Sequence, residues 1–447
     1  MRILSYRYLP LNVYVGYSFF VLICLFIGPI KYRGLDYIVL MSFITAWVSL
    51  FALGYIAGAR GNYRQHATDF EGRVASYRKV RWFVSVVLVL GVISSVGQGY
   101  SFLASGGDIS LGTIGDNYVK GYEGYERGQA HINLLYILNI FDQALVALVL
   151  LFSFYYFKVM GRFARHAFLF VVTTYLVVNV FGAGKQKYLG DVVIFAFFCM
   201  AINFAARGRK VSMRTFGIAA VVVASVFLMF LEILRQRYLA AGIGLDNIYE
   251  KSHPLIAWDD SSLVVSLVHS DYALALGVFL GYFTNGLYGL YLSLTLPFEW
   301  TYFVGNSYSL GRIVEIALSA DGSILEHTYP YRVGVVYGWG FDKWHSLFAW
   351  LASDISFVGV LFFAPLLSFV YARLWLQAIK ASNPFAGPLF IYLSLGLIFS
   401  YANNQLMHSL AGVIVLGVLF AGWILSPNLL HQCSSGRADS GCPKETE

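Results

Sequence analysis

Charge is what this sequence lacks most. Only 12% of its 447 residues are Asp, Glu, Lys or Arg, against roughly 25% in a typical soluble domain. A soluble chain of this length needs a polar shell around its core, and these charges are too few to build one. Cysteine is also scarce, with four residues. Cys24 and Cys199 fall in apolar runs, and Cys433 and Cys442 in a polar C-terminal stretch, so there is no disulfide framework and no metal-ligand spacing. No small-residue cleavage site follows the first apolar run, which therefore reads as a retained anchor. Internal repeats are absent, and no stretch is polar enough for a soluble domain.

What is abundant is apolar length. The hydrophobic share is 58% and mean hydropathy is +0.66. Apolar runs of about 20 residues recur from end to end, the length that crosses about 30 Å of hydrocarbon at 1.5 Å per residue. Spans are expected at 12–30, 36–57, 82–104, 132–157, 167–183, 189–206, 215–234, 353–376, 384–403 and 408–427. The expected fold class is an all-α polytopic membrane protein with about 10–12 transmembrane helices. The net charge of +7 does not point to nucleic acid, because the cations sit in short segments between apolar runs.

Those cations also set the orientation. Arg60, Arg64, Arg73, Arg78, Lys79 and Arg81 crowd the segment 58–81; Lys158, Arg162 and Arg165 lie in 158–166; Arg207, Arg209, Lys210 and Arg214 lie in 207–214. Alternating spans put all three on one side with Arg2 and Arg7, the cytoplasm by the positive-inside rule. The chain then divides into a seven-span bundle over 1–234, a large outer region over 235–352, three more spans over 353–427 and a polar cytoplasmic tail over 428–447, with both termini cytoplasmic. Within the outer region, 273–296 is apolar enough to span. Acids outnumber bases on both its flanks, and glycines at 277, 281, 286 and 289 interrupt it. It is read as re-entrant or surface-lying, since irregular backbone at membrane depth is tolerated where it lines a protein cavity.

Basic residues on the outer side stand against that bias. Lys185 and Lys187 occupy a short turn, and Arg235 and Arg237 close the seventh span. Such a cluster suits a diphosphate near lipid, while the bland reading is interfacial snorkelling, with Lys187 paired to Asp191 and Arg235 to Glu232. The outer region also holds Glu299, Trp300, Tyr302, Asn306, Glu326, Tyr331, Arg332, Trp339, Trp344 and His345. Aromatic faces beside carboxylates and amides fit the apolar faces and hydroxyls of sugars; an interfacial aromatic belt would use the same rings.

The segment from His345 to Gly359, with Asp354 inside it, resembles the hallmark of O-antigen ligases and Wzy-type polymerases: a His-Asn pair ahead of a membrane helix, then an acid, then a glycine. Ser346 stands where relatives usually have Asn. Trp344 with Ser346, Gly184-Lys185 before a helix and Arg237-Tyr238 closing another are similar to the polymerase pattern. The resemblance implies a GT-C-like fold with one large periplasmic loop in the bacterial inner membrane. It implies metal-independent, cofactor-free glycosyl transfer from an undecaprenyl-diphosphate-linked glycan. Expected partners are lipid-linked oligosaccharides, membrane lipid, a chain-length regulator and a flippase.

On that reading Lys185, Lys187, Arg235, Arg237 and Arg332 would hold the diphosphate, and Trp300, Tyr302, Asn306, Tyr331, Trp339 and Trp344 the sugars. Asp354, Glu326, Glu299 and His345 compete as the general base. Nine residues separate His345 from Asp354, so on one continuous helix they would face opposite ways. Three alternatives stay open: a ligase with another acceptor, a transporter or flippase, and a non-catalytic export subunit. A transporter would place ionisable groups at the midplane and show inverted repeats.

Overall fold

The computed structural model describes residues 6–60, 78–104, 106, 108–120, 134–208, 213–268, 271–320 and 322–435. Arg64, Arg73, Arg209 and Lys210 of the basic segments, and the tail beyond Ser435, lie outside the described residues. The chain is a helical bundle. Its first half contains α1 (Leu9–Ile27), α2 (Tyr37–Ala59), α3 (Arg78–Ala104), α4 (Leu134–Tyr156), α5 (Arg162–Leu176), α6 (Lys187–Arg207) and α7 (Met213–Ala240). Then come α8 (Asp271–Leu294), α9 (Tyr308–Leu318), α10 (Tyr329–Tyr337), α11 (Leu347–Lys380), α12 (Ala386–Phe399) and α13 (Leu410–Ser435). The last helix thus takes up the first part of the expected polar tail.

Nine helices among the described residues are long and apolar enough to cross a membrane. Their outward faces are apolar: Val221, Val222 and Val223 on α7 and Val358, Phe362 and Leu366 on α11 are all exposed. Side chains of that kind turned outward in series need a hydrocarbon solvent. The protein is a multi-pass membrane protein.

One face of the bundle is knitted together by its connections. Strand β1 (Ile30–Tyr32), between α1 and α2, pairs antiparallel with β2 (Ile256–Trp258), which follows α7, in the register Ile30 to Trp258. Helix α8 is unbroken, 24 residues or about 36 Å, and it is tied at both ends to this face. Near its start Tyr272 donates to Glu232 at the end of α7 at 2.7 Å, and near its end Tyr288 donates to the carbonyl of Arg33 at 2.7 Å. Two-thirds of its apolar window is covered by protein, far more than in any other candidate span. Its glycines do not break it. Gly286 lets it press on the carbonyls of Tyr401 and Ala402, which a Cβ would strike.

Two irregularities sink this face into the bundle. Helix α12 has 14 residues, about 21 Å, too short for the hydrocarbon core. The turn after it therefore lies at depth: Tyr401 donates to Ser18 at 2.7 Å, the tenth of the 19 residues of α1. Helix α11 is 34 residues, about 51 Å, and is broken at Ser356, whose φ of 61° and ψ of 165° are non-helical. The part after the break is long enough to span alone. The part before it, Leu347 to Ile355, is a separate short helix that starts against the α12 turn, with the Leu347 amide donating to the Ser400 carbonyl at 2.9 Å. Non-helical backbone at this depth is stable only when buried in protein or lining a polar cavity.

Candidate functional site

The cation turn begins where α5 loosens into a π-helical stretch, Val177–Gly182. Such bulges are frequent at functional positions. Gly184 follows at φ +62°, pressed on the Ile114 carbonyl and Tyr118, a conformation and a clearance that glycine meets best. Lys185, Gln186 and Lys187 come next. Arg237 reaches this turn from α7, donating through Nη1 to Gln186 Oε1, with its guanidinium 3.4 Å from the centroid of the Tyr118 ring. Gln186 in turn donates to Tyr282 of α8 at 2.9 Å, and Tyr282 lies 4.6 Å from the Trp344 ring. A turn and two helices thus meet at one amide, Gln186, which is buried, and the loop before α11 packs on Tyr282 behind it.

Lys187 pairs with Asp191 at 3.6 Å, as their i,i+4 spacing anticipates. Its side chain keeps about half its exposure. Lys185, beside it, has its ammonium pKa pushed below the usual lysine range, by desolvation first and by the charge of Lys187 second.

The other two expected diphosphate ligands are spent elsewhere. Arg235 makes a two-pronged contact with Glu232, 2.9 and 2.7 Å, and stacks over Tyr272 at 5.3 Å. Arg332 pairs with Glu299 at 3.0 Å and donates to the Pro297 carbonyl at 2.8 Å.

The four expected bases are also accounted for. Glu299 takes Arg332 and contacts His327 at 2.6 Å. Glu326 sits on an exposed turn beside Gly322. His345 is buried and donates Nε2–H to the Gly340 carbonyl at 3.0 Å; burial lowers its pKa to about 4, so the ring is neutral. It lies ahead of α11, which starts at Leu347 with Ser346 as its cap, so His345 and Asp354 do not share a helix.

Asp354 is buried, and its carboxylate is used four times. Oδ1 accepts from Thr301 Oγ1 at 2.5 Å and the Gly305 amide at 3.0 Å. Oδ2 accepts from the Asn306 amide at 2.8 Å and Asn306 Nδ2 at 2.6 Å. The loop it holds carries Tyr302 and Phe303 at φ 56° and 63°, costly for such side chains and kept only where the surroundings enforce it. Its geometry is that of a loop anchor.

The expected sugar-stacking residues separate in the same way. Trp344 packs on Tyr282, the ring that Gln186 of the cation turn binds. Asn306 and Tyr331 lie in the neighbouring ring cluster, Tyr331 at 5.9 Å from Phe341. Trp339 is fully buried and packs edge-on to Tyr288 at 5.2 Å, so its ring faces are used by the core. Trp300 and Tyr302 lie together on the exposed Asp354-held loop, 4.8 Å apart, with Phe298 and Phe303 also exposed.

Residues that the sequence reading passed over complete the site. The polar turn after α12 carries Asn404, which donates to the Asn306 carbonyl at 2.6 Å, and His408. The His408 ring is 5.1 Å from Trp350. Burial lowers its pKa to about 4, and the positive charge of Lys187 adds to that. The run Asn403-Asn404-Gln405 between two apolar segments was the available signal. Among the described residues, then, one face carries a cation set of Lys185, Lys187 and Arg237 next to a buried polar and aromatic cluster.

These features define a multi-pass helical membrane protein with a charged and aromatic site sunk into one face. No family model matches the chain, and neither the curated proteins nor the solved structures contain a match.

Proposed function

We propose that this chain polymerises lipid-linked oligosaccharides, transferring a glycan from an undecaprenyl-diphosphate carrier to a hydroxyl of the next lipid-linked repeat. The face bearing the site is the periplasmic one in this reading, since the loops at the opposite ends of the spans carry Arg60, Lys158, Arg162, Arg165, Arg207 and Arg214. Both termini are then cytoplasmic, the membrane is the bacterial inner membrane, and the arrangement of spans is GT-C-like with a large periplasmic region.

The observation that carries the proposal is the hydrogen bond from Arg237 to Gln186, which brings a third cation from 51 residues away onto the turn that holds Lys185 and Lys187. The attacking hydroxyl forms a bond to the anomeric carbon, the bond to the diphosphate oxygen breaks, and the lipid diphosphate leaves. Preorganised cations stabilise the negative charge that grows on that leaving group. Arg237 supplies a planar donor set fixed by Tyr118 and Gln186, and the two lysines supply point charges. The hydroxyl proton passes to water, since His408, lowered to about 4 by burial, is a weak base at neutral pH. Asp354 and His345 hold the surrounding loops.

The test is a surface-glycan gel from cells whose chromosomal copy carries K185A, K187A or R237A, with membrane levels of the protein checked. Loss of one preorganised donor costs on the order of 10²–10³ in rate. The expected result is collapse of the ladder to a single repeat. Long chains retained on the carrier would instead indicate a ligase, and a full ladder in all three variants would remove the diphosphate site.

A further inference from the structure

Four rings from four separate parts of the chain close a circuit. Tyr308 at the start of α9 lies 5.2 Å from Phe341, and Phe341 lies 5.9 Å from Trp350, nearly parallel to it. Trp350 lies 5.1 Å from His408, and His408 returns to Tyr308 at 5.8 Å. Phe341 is 36% exposed, and Tyr308 and Tyr331 are half-buried, so the cluster reaches the surface.

Three buried polar atoms in and beside this cluster have no hydrogen-bond partner among the described residues: Trp350 Nε1, His408 Nδ1 and Asn306 Oδ1. Trp350 is only 2% exposed. Buried polar groups are almost always paired, so three orphans in one neighbourhood call for an explanation. The Asn306 amide cannot turn to satisfy itself, because its Nδ2 is held by Asp354 at 2.6 Å.

We infer that these rings and the three atoms form a subsite for one neutral sugar ring. The indole N–H can only donate, the fixed Asn306 oxygen can only accept, and the imidazole nitrogen does either according to tautomer. A ligand answering all three must both donate and accept at several points, which is what adjacent hydroxyls do. A phosphate or carboxylate would meet a lone acceptor at Asn306 and find its cations only at the neighbouring turn. The ring faces of Tyr308 and Phe341 supply apolar surface for the C–H face of a pyranose. The loop between α10 and α11 carries both Phe341 of this cluster and Trp344, which lies 4.6 Å from the Tyr282 ring bound by Gln186, so the subsite adjoins the diphosphate position. The sugar bound here is one adjoining the carrier linkage. This inference rests on the glycosyl-transfer reading for its biological meaning, and its binding chemistry can be measured separately.

The experiment is saturation-transfer NMR on the full chain in lipid nanodiscs. The probes are the methyl glycosides of glucose, galactose, mannose and N-acetylglucosamine, with inorganic phosphate as the charged comparison. At least one glycoside is expected to bind saturably. Trp350→Phe, which keeps a ring and removes the N–H, should weaken it at least fivefold, and His408→Phe should do likewise. Thermal unfolding verifies that each variant is folded, and a misfolded one leaves the other to decide. No saturable glycoside binding in the wild type, unchanged binding in the folded variants, or phosphate competing at the same rings would overturn the subsite. A full ladder in K185A, K187A and R237A with glycoside binding intact would fell the polymerase reading alone.

Discussion

Replacing Asp354 by Asn separates anchoring from chemistry at this position. The carboxylate accepts four hydrogen bonds, two on each oxygen. An amide keeps one acceptor oxygen and turns an NH2 group toward the donors that faced the other. Two bonds are lost, and hydrogen bonds to a charged acceptor are worth about 1.5–3 kcal/mol each. A loss of about 3 kcal/mol corresponds to an opening equilibrium raised on the order of a hundredfold. The loop is poised to use that freedom, because Tyr302 and Phe303 are held at positive φ. Hydrogen exchange in nanodiscs should show the amides of Gly305 and Asn306 exchanging about a hundredfold faster, with the helix from Leu347 to Ser353 unchanged. If the loop amides keep their wild-type protection, the anchoring argument is wrong. If they do so while the glycan ladder vanishes, the carboxylate acts in the reaction instead.

Ser356 sits at φ 61° and ψ 165°, a region nearly reserved for glycine, so Ser356→Gly should raise the thermal midpoint in detergent. The gain is about 1 kcal/mol, reduced by the lost contact of the Ser356 hydroxyl with the Gly359 amide at 3.3 Å. The pH response follows from His345. Unfolded, its imidazole takes a proton near pH 6.5; folded, not until about 4. The stability it contributes is therefore complete above about pH 6.5 and is lost as pH falls towards 4, about 3 kcal/mol. His408, lowered likewise to about 4, adds a second loss over the same window, so melting curves between pH 7 and 4 should show the decline and His345→Gln should remove about half of it. Glu299→Gln removes a partly exposed pair with Arg332, worth at most about 1 kcal/mol; the ladder should persist, and its loss would return Glu299 to the reaction.

How much of this was legible depended on the range of the signal. Apolar runs announce themselves, so the spans over α1 to α7 were found within a few residues. The pairs Lys187–Asp191 and Arg235–Glu232 were readable because helical spacing fixes them locally. The partners of Asp354 were not, since Thr301, Gly305 and Asn306 lie 48 to 53 residues upstream and nothing near Asp354 marks them. Trp339 and Trp344 look alike in sequence, yet one fills the core and the other touches Tyr282, a difference made by the fold. The glycines of α8 were read as weakness and are close-packing positions. His408 was passed over because only the three-dimensional meeting of α9, the α11 start and the α12 turn gives it neighbours.

The short reach of α12 leaves the rest of the bundle's depth to be filled by large rings. Tyr371 stacks on Phe390 at 4.7 Å and Trp375 packs on the same ring at 5.0 Å. Phe390→Ala should therefore cost about 3–5 kcal/mol of stability, read as a lowered thermal midpoint in detergent.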